Sequence, residues 1–365
     1  PGTVWVVDHV QLQEQLDTGV TLKEAIGKLV PGLDLAPEGR SNYGQNMRGR
    51  NVLVMIDGVS QNSSRGLSRQ FDSISPFNVE RVEVLSGASA LYGGGATGGI
   101  INIVTKKGTP GPAQFETELS ATSGFNNSDD LSSRISQSVS GGTERLYGRL
   151  GISGEQNEAF YDGKGDQVFI DNTQTDLQYN RTLDLMGSLA IKLDDEQDLD
   201  LLAQYYDSGN HGNVGIYFPN LHDKAPSNLD DAQIRSGYDT DLEPRSKRLL
   251  FNANYHHSDV LGQDFYLQGS YRKEDNNFFP FPYYNTGKPQ GSKGVYFAAS
   301  QQNFEVTSLK ALFAKQWDSL KLTYGVDLDR ERFNAEQSVF DSAMSSQSGG
   351  LDLVTQSKAP RYPSY

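Results

Sequence analysis

The last two thirds of the chain repeats one pattern: apolar and polar side chains alternate over segments of strand length. Segment 183–193 places a leucine, an isoleucine or a glycine at every odd position, and segment 320–328 places an apolar residue at every even position. A period of two gives a β-strand one apolar face and one polar face. The pattern predicts about nine antiparallel strands, at residues 115–121, 133–139, 146–152, 183–193, 199–205, 248–257, 265–272, 304–315 and 320–328.

The apolar face of such a sheet requires either lipid or a protein core. The chain has no run of about 18 apolar residues, which excludes a transmembrane helix but not a transmembrane β-barrel. From the period alone, a soluble antiparallel sandwich with one solvated face fits equally well. The barrel is favoured because glycine and aromatic residues stand on the apolar face. Short connections at 193–199 and 259–264 also alternate with long ones at 207–247 and 276–302, as periplasmic turns alternate with external loops.

Composition and charge exclude several classes of protein. The chain has no cysteine, so disulfide scaffolds, thiolate metal sites and cysteine nucleophiles are excluded. The net charge is −14, and because residues 1–108 carry ten basic and ten acidic side chains, the acidic excess belongs to the remainder. Nucleic acid is therefore not expected as a partner. Within residues 40–69, by contrast, five arginines face one aspartate, and this local positive field attracts small anions.

The first hundred residues have a different organisation. Thr21 and Glu24 form a capping-box pattern ahead of a helix that is predicted to end near Val30. Residues 3–7 predict a short strand, and the apolar run 52–56 is typical of a strand buried on both faces.

A helical turn is predicted at Ser75 and Pro76, and a segment rich in Gly and Pro at 108–112 reads as a linker. The sequence therefore predicts a mixed α/β domain over residues 1–108, followed by the strand-rich region 109–365.

The glycine-rich segment 87–99 lies between two apolar runs, 82–85 and 100–104. So many glycines indicate tight turns and close backbone approach rather than a helix. Gly93, Gly95 and Gly98 formally match the dinucleotide pattern, but a strand follows them where a helix would have to begin, so the pattern does not indicate a nucleotide site.

No catalytic or metal-binding constellation stands out in the sequence. His256 and His257 are adjacent and point to opposite faces of a strand, so they cannot chelate one metal ion together. The segment 162–166 lacks the ligand spacing of a calcium loop, and a surface turn is the better interpretation. We expect no catalytic residues, no metal ligands and no resident cofactor.

Several N-terminal segments occur in the order that is typical of the plug domain of TonB-dependent outer-membrane receptors, and the chain resembles that family. The closing block, Glu80 to Lys107, is long and ordered, so the resemblance is specific and covers nearly all of residues 1–107. Within the family, the segments 39–49, 62–65 and 71–77 are most similar to receptors for citrate-hydroxamate siderophores of the aerobactin type. The matching elements are the turn 29–33, the segment 47–50 leading into the strand that ends at 56–58, and the block 80–107.

The resemblance implies a plug domain followed by antiparallel strands of a transmembrane β-barrel. Family barrels have 22 strands, so about nine strands cannot close one, and the chain is expected to be an incomplete part of a longer receptor. The short segment that engages TonB is expected ahead of the plug, and nothing before Thr3 matches it.

The implied function is the import of an anionic ferric siderophore, hydroxamate-carboxylate and aerobactin-like, across the outer membrane of a Gram-negative bacterium. Its implied partners are the siderophore, TonB with ExbB and ExbD in the periplasm, and outer-membrane lipid. Iron arrives as a chelate, so the receptor needs no cofactor and no catalysis. A catecholate siderophore, haem or cobalamin as cargo, a binding barrel without transport, and a soluble β-rich enzyme or carbohydrate binder remain alternatives.

By their position in the plug and loops of the family, eight residues are candidates for the ligand site. Guanidinium groups suit the carboxylate and hydroxamate oxygens of the chelate, and aromatic loop residues would form the wall and lid. Two alternatives compete: arginines of the plug, above all Arg48 and Arg50, dock the plug against lumen-facing carboxylates, and the loop aromatics pack on one another as a hydrophobic core. The candidates are Arg40, Ser41, Asn42, Tyr43, Arg65, Arg69, Tyr217 and Phe279.

Overall fold

The computed structural model describes residues 4–34, 44–64, 69–87, 96–125, 129–170, 177–219, 221, 231–284 and 295–362. The first hundred residues form a small mixed sheet with two helices. The rest of the described chain forms a long antiparallel sheet with short elements at one end. Among the described residues, no helix has the length and apolarity needed to cross a membrane.

The N-terminal domain is built around five strands in the order β1-β5-β6-β3-β2, with β4 paired to β3. Strand β3 runs parallel to β6, while β1, β5 and β6 pair antiparallel. Two 3₁₀ turns, Phe71–Ser73 and Pro76–Asn78, precede β5. The helices and strands are β1 (Val4–Val7), α1 (His9–Leu16), α2 (Leu22–Leu29), β2 (Asn46–Met47), β3 (Arg50–Ile56), β4 (Val59–Ser60), β5 (Val79–Ser86) and β6 (Gly99–Thr105).

Local sequence explains most of these elements. The predicted capping box forms at α2: the backbone N–H of Glu24 donates to Thr21 Oγ1 at 3.3 Å, and the backbone N–H of Thr21 donates to the Glu24 carboxylate at 2.9 Å. Residues 52–56 are buried in β3, as predicted. At Gly98 a Cβ atom would lie 2.5 Å from the carbonyl oxygen of Arg50, so only glycine allows the backbone to approach β3 there.

The region after residue 110 is an 11-stranded sheet in the order β21-β19-β18-β16-β15-β11-β10-β9-β8-β7, with β17 paired to β18. Two smaller pairs, β12 with β13 and β14 with β20, lie in its long connections. The elements are β7 (Gly111–Thr122), β8 (Ser132–Gly142), β9 (Leu146–Asn157), β10 (Asn180–Lys192), β11 (Gln197–Asn210), β12 (Val214–Tyr217), β13 (Gln233–Ser236), β14 (Asp239–Thr240), β15 (Arg245–His257), β16 (Asp264–Asn277), β17 (Phe281–Tyr284), β18 (Val295–Gln316), β19 (Lys321–Phe340), α3 (Ser342–Gln347), β20 (Asp352–Leu353) and β21 (Thr355–Tyr362).

Connections of the long sheet alternate in length, as the sequence predicted. The short turns 143–145, 193–196, 258–263 and 317–320 all lie at one end of the sheet, which we call the short-turn end. The connections at the opposite, long-loop end hold β12, β13, β14, β17, α3 and β20. All nine predicted strands are present in this sheet, and β17 and β21 are two additional strands that the sequence did not predict.

The long sheet has two different faces. On its outer face, exposed apolar side chains occur on β7, β8, β9, β10, β15, β18 and β19, including Leu119, Ile135, Leu185 and Leu322. On its inner face the sheet packs against the N-terminal domain, and Met186, Leu202 and Leu250 of β10, β11 and β15 join the hydrophobic core of that domain. The inner face, which the alternation predicted to be polar, is therefore buried where the N-terminal domain covers it.

Candidate functional site

The long sheet after residue 110, which we call the wall, binds the N-terminal domain through the buried carboxylate of Asp184 on β10. Its Oδ2 accepts from the backbone N–H of Ser75 at 2.7 Å and from Asn78 Nδ2 at 3.0 Å, and its Oδ1 accepts from Gln204 Nε2 at 2.7 Å. Asp184 has no exposed surface. Because three donors converge on this carboxylate, the cost of burying its charge is offset by hydrogen bonds.

Arg248 on β15 is the cationic counterpart of Asp184 and is 2% exposed. Its guanidinium donates to the side chain and the backbone carbonyl of Ser73, to Gln204 Oε1 at 2.6 Å, and to Gln61 Oε1 at 3.4 Å. The wall thus binds both 3₁₀ turns of the N-terminal domain: Arg248 binds the first at Ser73, and Asp184 binds the second at Ser75 and Asn78.

Two further wall residues hold the segment 61–64 that follows β4. Arg272 on β16 donates to the backbone carbonyls of Gln61 at 2.6 Å and Asn62 at 2.9 Å. Glu331 on β19 accepts from Ser64 Oγ at 2.7 Å and from its backbone N–H at 3.1 Å. These contacts join the segment 61–64 to strands β16 and β19 of the sheet.

A further contact involves β9 and β7, which lie on the other side of β10 in the sheet. Arg149 on β9 donates to Asn78 Oδ1 at 2.8 Å, and its guanidinium lies 5.1 Å from the ring centroid of Phe77. Lys106 approaches the same ring at 5.0 Å and pairs with Glu116 of β7 at 2.6 Å. Phe77 therefore contacts two cations at the edge of the N-terminal domain.

Docking reverses the roles that the sequence suggested for the arginines. Arg48 and Arg50 of the N-terminal domain were expected to pair with carboxylates of the wall, yet both are exposed in the structure. Arg48 stands in a left-handed turn with its side chain against Gly32. The docking arginines belong to the wall instead. They lie at inner positions of its strands, where they donate to backbone carbonyls of segments 61–64 and 73–78.

Arg69 is the one arginine among the candidate ligand residues that the structure describes. It is 7% exposed, and its Nη1 donates to Oγ of Ser246, the second residue of β15. Its guanidinium lies 4.8 Å from the ring centroid of Phe278, which directly follows β16. Both contacts lie at the long-loop end of the sheet. Arg69 therefore lies where the N-terminal domain meets the long connections that hold β12, β13, β14, β17, α3 and β20, which we call the loop layer.

Tyr217 and Phe279 belong to that loop layer and are half-buried. The guanidinium of Arg235 lies 3.9 Å from the ring centroid of Tyr217. Phe279 lines a small cavity of about 30 Å³ together with Phe218 and Tyr238.

The loop layer has its own hydrophobic core, in which Phe218, Phe297 and Phe340 are buried. The rings of Phe218 and Phe297 lie 6.1 Å apart. A packed loop core was the alternative considered for the loop aromatics of segments 217–219 and 278–284, and Phe218 of these segments lies in such a core. The hydroxyl-bearing ring of Tyr238 is buried in the same core, and burial raises its pKa above the ordinary value of tyrosine.

The structure brings only part of the candidate site together. Arg69 contacts Phe278, and Phe278 is adjacent to Phe279, which shares a cavity with the loop core. Arg40, Ser41, Asn42, Tyr43 and Arg65 lie outside the described residues. Among the residues that are described, no group of three or more His, Cys, Asp or Glu side chains could hold a metal ion.

Sequence reasoning missed the wall residues that hold the N-terminal domain. Their signal was present, because Asp184, Gln204, Arg248 and Arg272 occupy polar positions of strands whose other positions are apolar. Alternation does not reveal which polar positions are buried, since that depends on the domain that covers them.

The comparisons with known proteins agree with this architecture. Residues 1–100 match the family model described as TonB-dependent Receptor Plug Domain. The N-terminal domain is therefore similar to the plug domain of the TonB-dependent receptors, the family that the sequence indicated.

Curated relatives match the chain over its whole length. The rhizobactin receptor of Rhizobium meliloti is 43% identical over 99% of this chain, and the ferric aerobactin receptors of Klebsiella pneumoniae and Escherichia coli are each 42% identical over 100% of it. The match covers 48% to 49% of those proteins. The chain therefore spans about half the length of the curated relatives it matches.

Solved structures support the fold. The copper transporter OprC matches with a TM-score of 0.64 at 17% identity, covering 99% of this chain and 50% of that one. The ferripyoverdine receptor of Pseudomonas aeruginosa matches with a TM-score of 0.59 at 18% identity, covering 93% and 43%. At these identities the likeness concerns the fold alone: a plug domain and about half of a barrel wall.

Proposed function

We propose that the receptor containing this chain binds an anionic ferric siderophore of the citrate-hydroxamate class and imports it with energy derived from TonB. The observation that carries this proposal is the identity of 42% to 43%, over essentially the whole chain, to receptors named for ferric aerobactin and rhizobactin. The local excess of arginine in residues 40–69 supports an anionic cargo.

In this proposal residues 1–108 are the plug and residues 109–365 are the first part of the barrel. Arg69 would stand at the floor of the ligand site, where the plug meets the loop layer. Arg40, Ser41, Asn42, Tyr43 and Arg65 would complete the floor, and Tyr217 and Phe279 would contribute to the wall.

Iron enters as cargo inside its chelate, with its coordination sphere already filled. The receptor therefore needs donors for the carboxylate and hydroxamate oxygens rather than iron ligands of its own. A guanidinium suits this task because its planar fork donates two parallel hydrogen bonds to a carboxylate. No covalent bond is made or broken in binding or passage.

The wall contacts explain why transport would need an energy source. Asp184, Arg248 and Arg272 hold the plug by charge-assisted hydrogen bonds that are excluded from water. Each such bond contributes about 1.5–3 kcal/mol, so thermal motion alone seldom breaks several of them together. We infer that TonB, driven by ExbB and ExbD, supplies the work from the periplasmic side, which corresponds to the short-turn end.

The experiment uses the complete receptor, expressed in a strain without other ferric siderophore receptors. Binding of ferric aerobactin to the purified receptor and its uptake by cells are both measured, with and without TonB. We expect tight binding in both strains and uptake only with TonB. Binding without uptake in the TonB-containing strain would indicate a binding barrel, and preferential binding of a ferric catecholate, haem or cobalamin would refute the proposed cargo.

Arg69 is tested in the same assay by Arg69→Gln, with Arg145→Gln as the matched control. Arg145 is exposed in the turn 143–145, at the opposite end of the sheet. We expect Arg69→Gln to weaken ferric aerobactin binding by about tenfold or more, the loss of one charge-assisted contact, and Arg145→Gln to leave it unchanged. Equal affinities of the two variants would remove Arg69 from the site.

A further inference from the structure

A groove on the outer face of the sheet is not explained by siderophore binding. It has a volume of about 610 Å³ and lies across β8, β9, β10, β11 and β15. The strand register places two rows of its lining residues on the exposed apolar face. The first row is Ser133, Gln156, Arg181, Gly209 and Arg245, and the second is Ile135, Gly154, Leu183 and Asp207.

The exposed apolar side chains form a band around the outer face, and the groove lies at the border of this band nearest the long-loop end. On β10 and the turn after it, outward positions from Leu183 to Leu193 are apolar or glycine. Ten residues at about 3.3 Å each, on a strand tilted by about 40°, rise about 25 Å, which is the height of the apolar band of a transmembrane barrel. Arg181 is the next outward residue toward the long-loop end. It therefore stands at the level of the headgroups of the outer leaflet, since long loops of such barrels face the exterior.

Two glycines shape the groove: Gly154 leaves it open, and Gly209 makes room for the side chain of Arg245. A Cβ atom at Gly154 would have no heavy atom within 4 Å, so this position is an open part of the groove. At Gly209 a Cβ atom would lie 3.1 Å from Cγ of Arg245, whose side chain crosses β11 at this point. The Arg245 guanidinium then pairs with Asp207 through two hydrogen bonds of 2.7 and 2.6 Å.

Arg181 brings to the groove a positive charge that no carboxylate in the described part of the chain pairs with. Its Nε donates to Gln156 Oε1 at 2.9 Å, and within the described part of the chain its two terminal nitrogens make no hydrogen bond or ion pair. The charge of Arg245 is neutralised by Asp207. Glu243 lies beside Arg245 at the loop edge and is exposed, so water and salt screen its charge.

We propose that this groove binds the phosphate-bearing headgroup of a lipid of the outer leaflet. The terminal nitrogens of Arg181 donate to the phosphate, and an acyl chain of the same lipid lies on Leu183 and Leu185, which are each 39% exposed. A free anion would use only the guanidinium. A lipid also covers the apolar floor that continues from the groove into the band.

The test uses the complete receptor in mild detergent and native mass spectrometry with bisphosphorylated lipid A as the probe. The variants are Arg181→Gln, which removes the guanidinium and its positive charge, and Gly154→Leu, which fills the groove with a side chain suited to lipid. Arg145→Gln removes an exposed arginine at the short-turn end and is the charge-matched control. Retention of the heat-modifiable mobility of a folded barrel shows that each variant folds.

We expect Arg181→Gln and Gly154→Leu to bind the probe about tenfold more weakly than the unmodified receptor, and Arg145→Gln to bind it equally well. Equal binding by all four proteins would overturn the proposal. It would also be overturned if millimolar inorganic phosphate displaced the lipid, or if dephosphorylated lipid A bound as tightly as the phosphorylated form. The readout involves no siderophore, so it is independent of the proposed cargo.

Discussion

Asp184 and Arg248 are both buried completely or nearly so, and the amide of Gln204 lies between them. Gln204 Nε2 donates to Asp184 Oδ1 at 2.7 Å, and Gln204 Oε1 accepts from Arg248 at 2.6 Å. The amide thus links the anion and the cation in the only orientation that satisfies both. Because each charge also binds a turn of the plug, the three side chains act as one clamp between wall and plug.

Asp184→Asn should weaken this clamp. An asparagine keeps one oxygen but presents its NH₂ group to donors that need an acceptor, either Ser75 and Asn78 or Gln204. Disrupting a buried charged network of this kind costs about 3–5 kcal/mol. Limited proteolysis of the folded receptor should therefore cut the plug faster in Asp184→Asn, while the exposed control Asp318→Asn behaves as the unmodified protein. Equal cleavage rates would mean that Asp184 does not hold the plug.

Arg272→Lys should release the segment 61–64 without unfolding the plug. A lysine cannot direct two nitrogens at the carbonyls of Gln61 and Asn62, which Arg272 binds at 2.6 and 2.9 Å. Backbone hydrogen exchange in this segment should become about tenfold faster or more, because one charge-assisted hydrogen bond is lost. The control is Arg332→Lys on β19, whose ion pair with Glu305 spans 4.0 Å at the surface. Unchanged exchange in Arg272→Lys would contradict the contact.

Gly98→Ala should destabilise the plug, because its Cβ would lie 2.5 Å from the carbonyl oxygen of Arg50 and 2.9 Å from that of Asn51. Forced overpacking of this kind costs about 1–3 kcal/mol. Gly163→Ala is the matched control, since a Cβ at Gly163 meets no atom within 4 Å. Denaturant midpoints of the plug, followed by the fluorescence of Trp5, should fall for Gly98→Ala and stay constant for Gly163→Ala. Two unchanged midpoints would show that the backbone is not confined at Gly98.

The loop layer should loosen at alkaline pH because of Tyr238. Burial raises the pKa of this phenol above its unfolded value of about 10. The fold keeps the neutral form, so its contribution to stability is complete below the unfolded pKa and is lost as the pH rises above it. Proteolysis of the loops should accelerate above about pH 10 in the unmodified receptor and less so in Tyr238→Phe. The same acceleration in both proteins would assign the effect to other groups.

Local patterns predicted most of the fold. Alternation identified nine strands of the wall because side-chain direction along a strand has a strict period of two. Strand β21 was missed since its residues, TQSKAPRY, carry no apolar alternation and include a proline. Helix α1 was missed because only Leu12 and Leu16 of its eight residues are buried, which leaves no wide apolar stripe.

Contacts between plug and wall were not predictable in the same way. Ser75 and Asp184 are separated by 109 residues, and Gln61 and Arg272 by 211. Neither pair has a sequence signature, because each joins two distant parts of the chain that meet only in the folded structure. The family resemblance predicted that a plug and a wall exist, while the atoms that join them follow from the structure.

The central claim of the proposed function is that the N-terminal domain, which lies against the inner face of the wall, must move for cargo to pass. The chain has no cysteine, and Ser75 Oγ lies 3.0 Å from Ser153 Oγ across the interface. The direct measurement is uptake of radiolabelled ferric aerobactin by cells carrying Ser75→Cys with Ser153→Cys, before and after reduction, beside both single variants. We predict a disulfide that leaves binding intact, abolishes uptake and releases it on reduction. Absence of the disulfide under oxidising conditions, or full uptake while it is intact, would contradict the account.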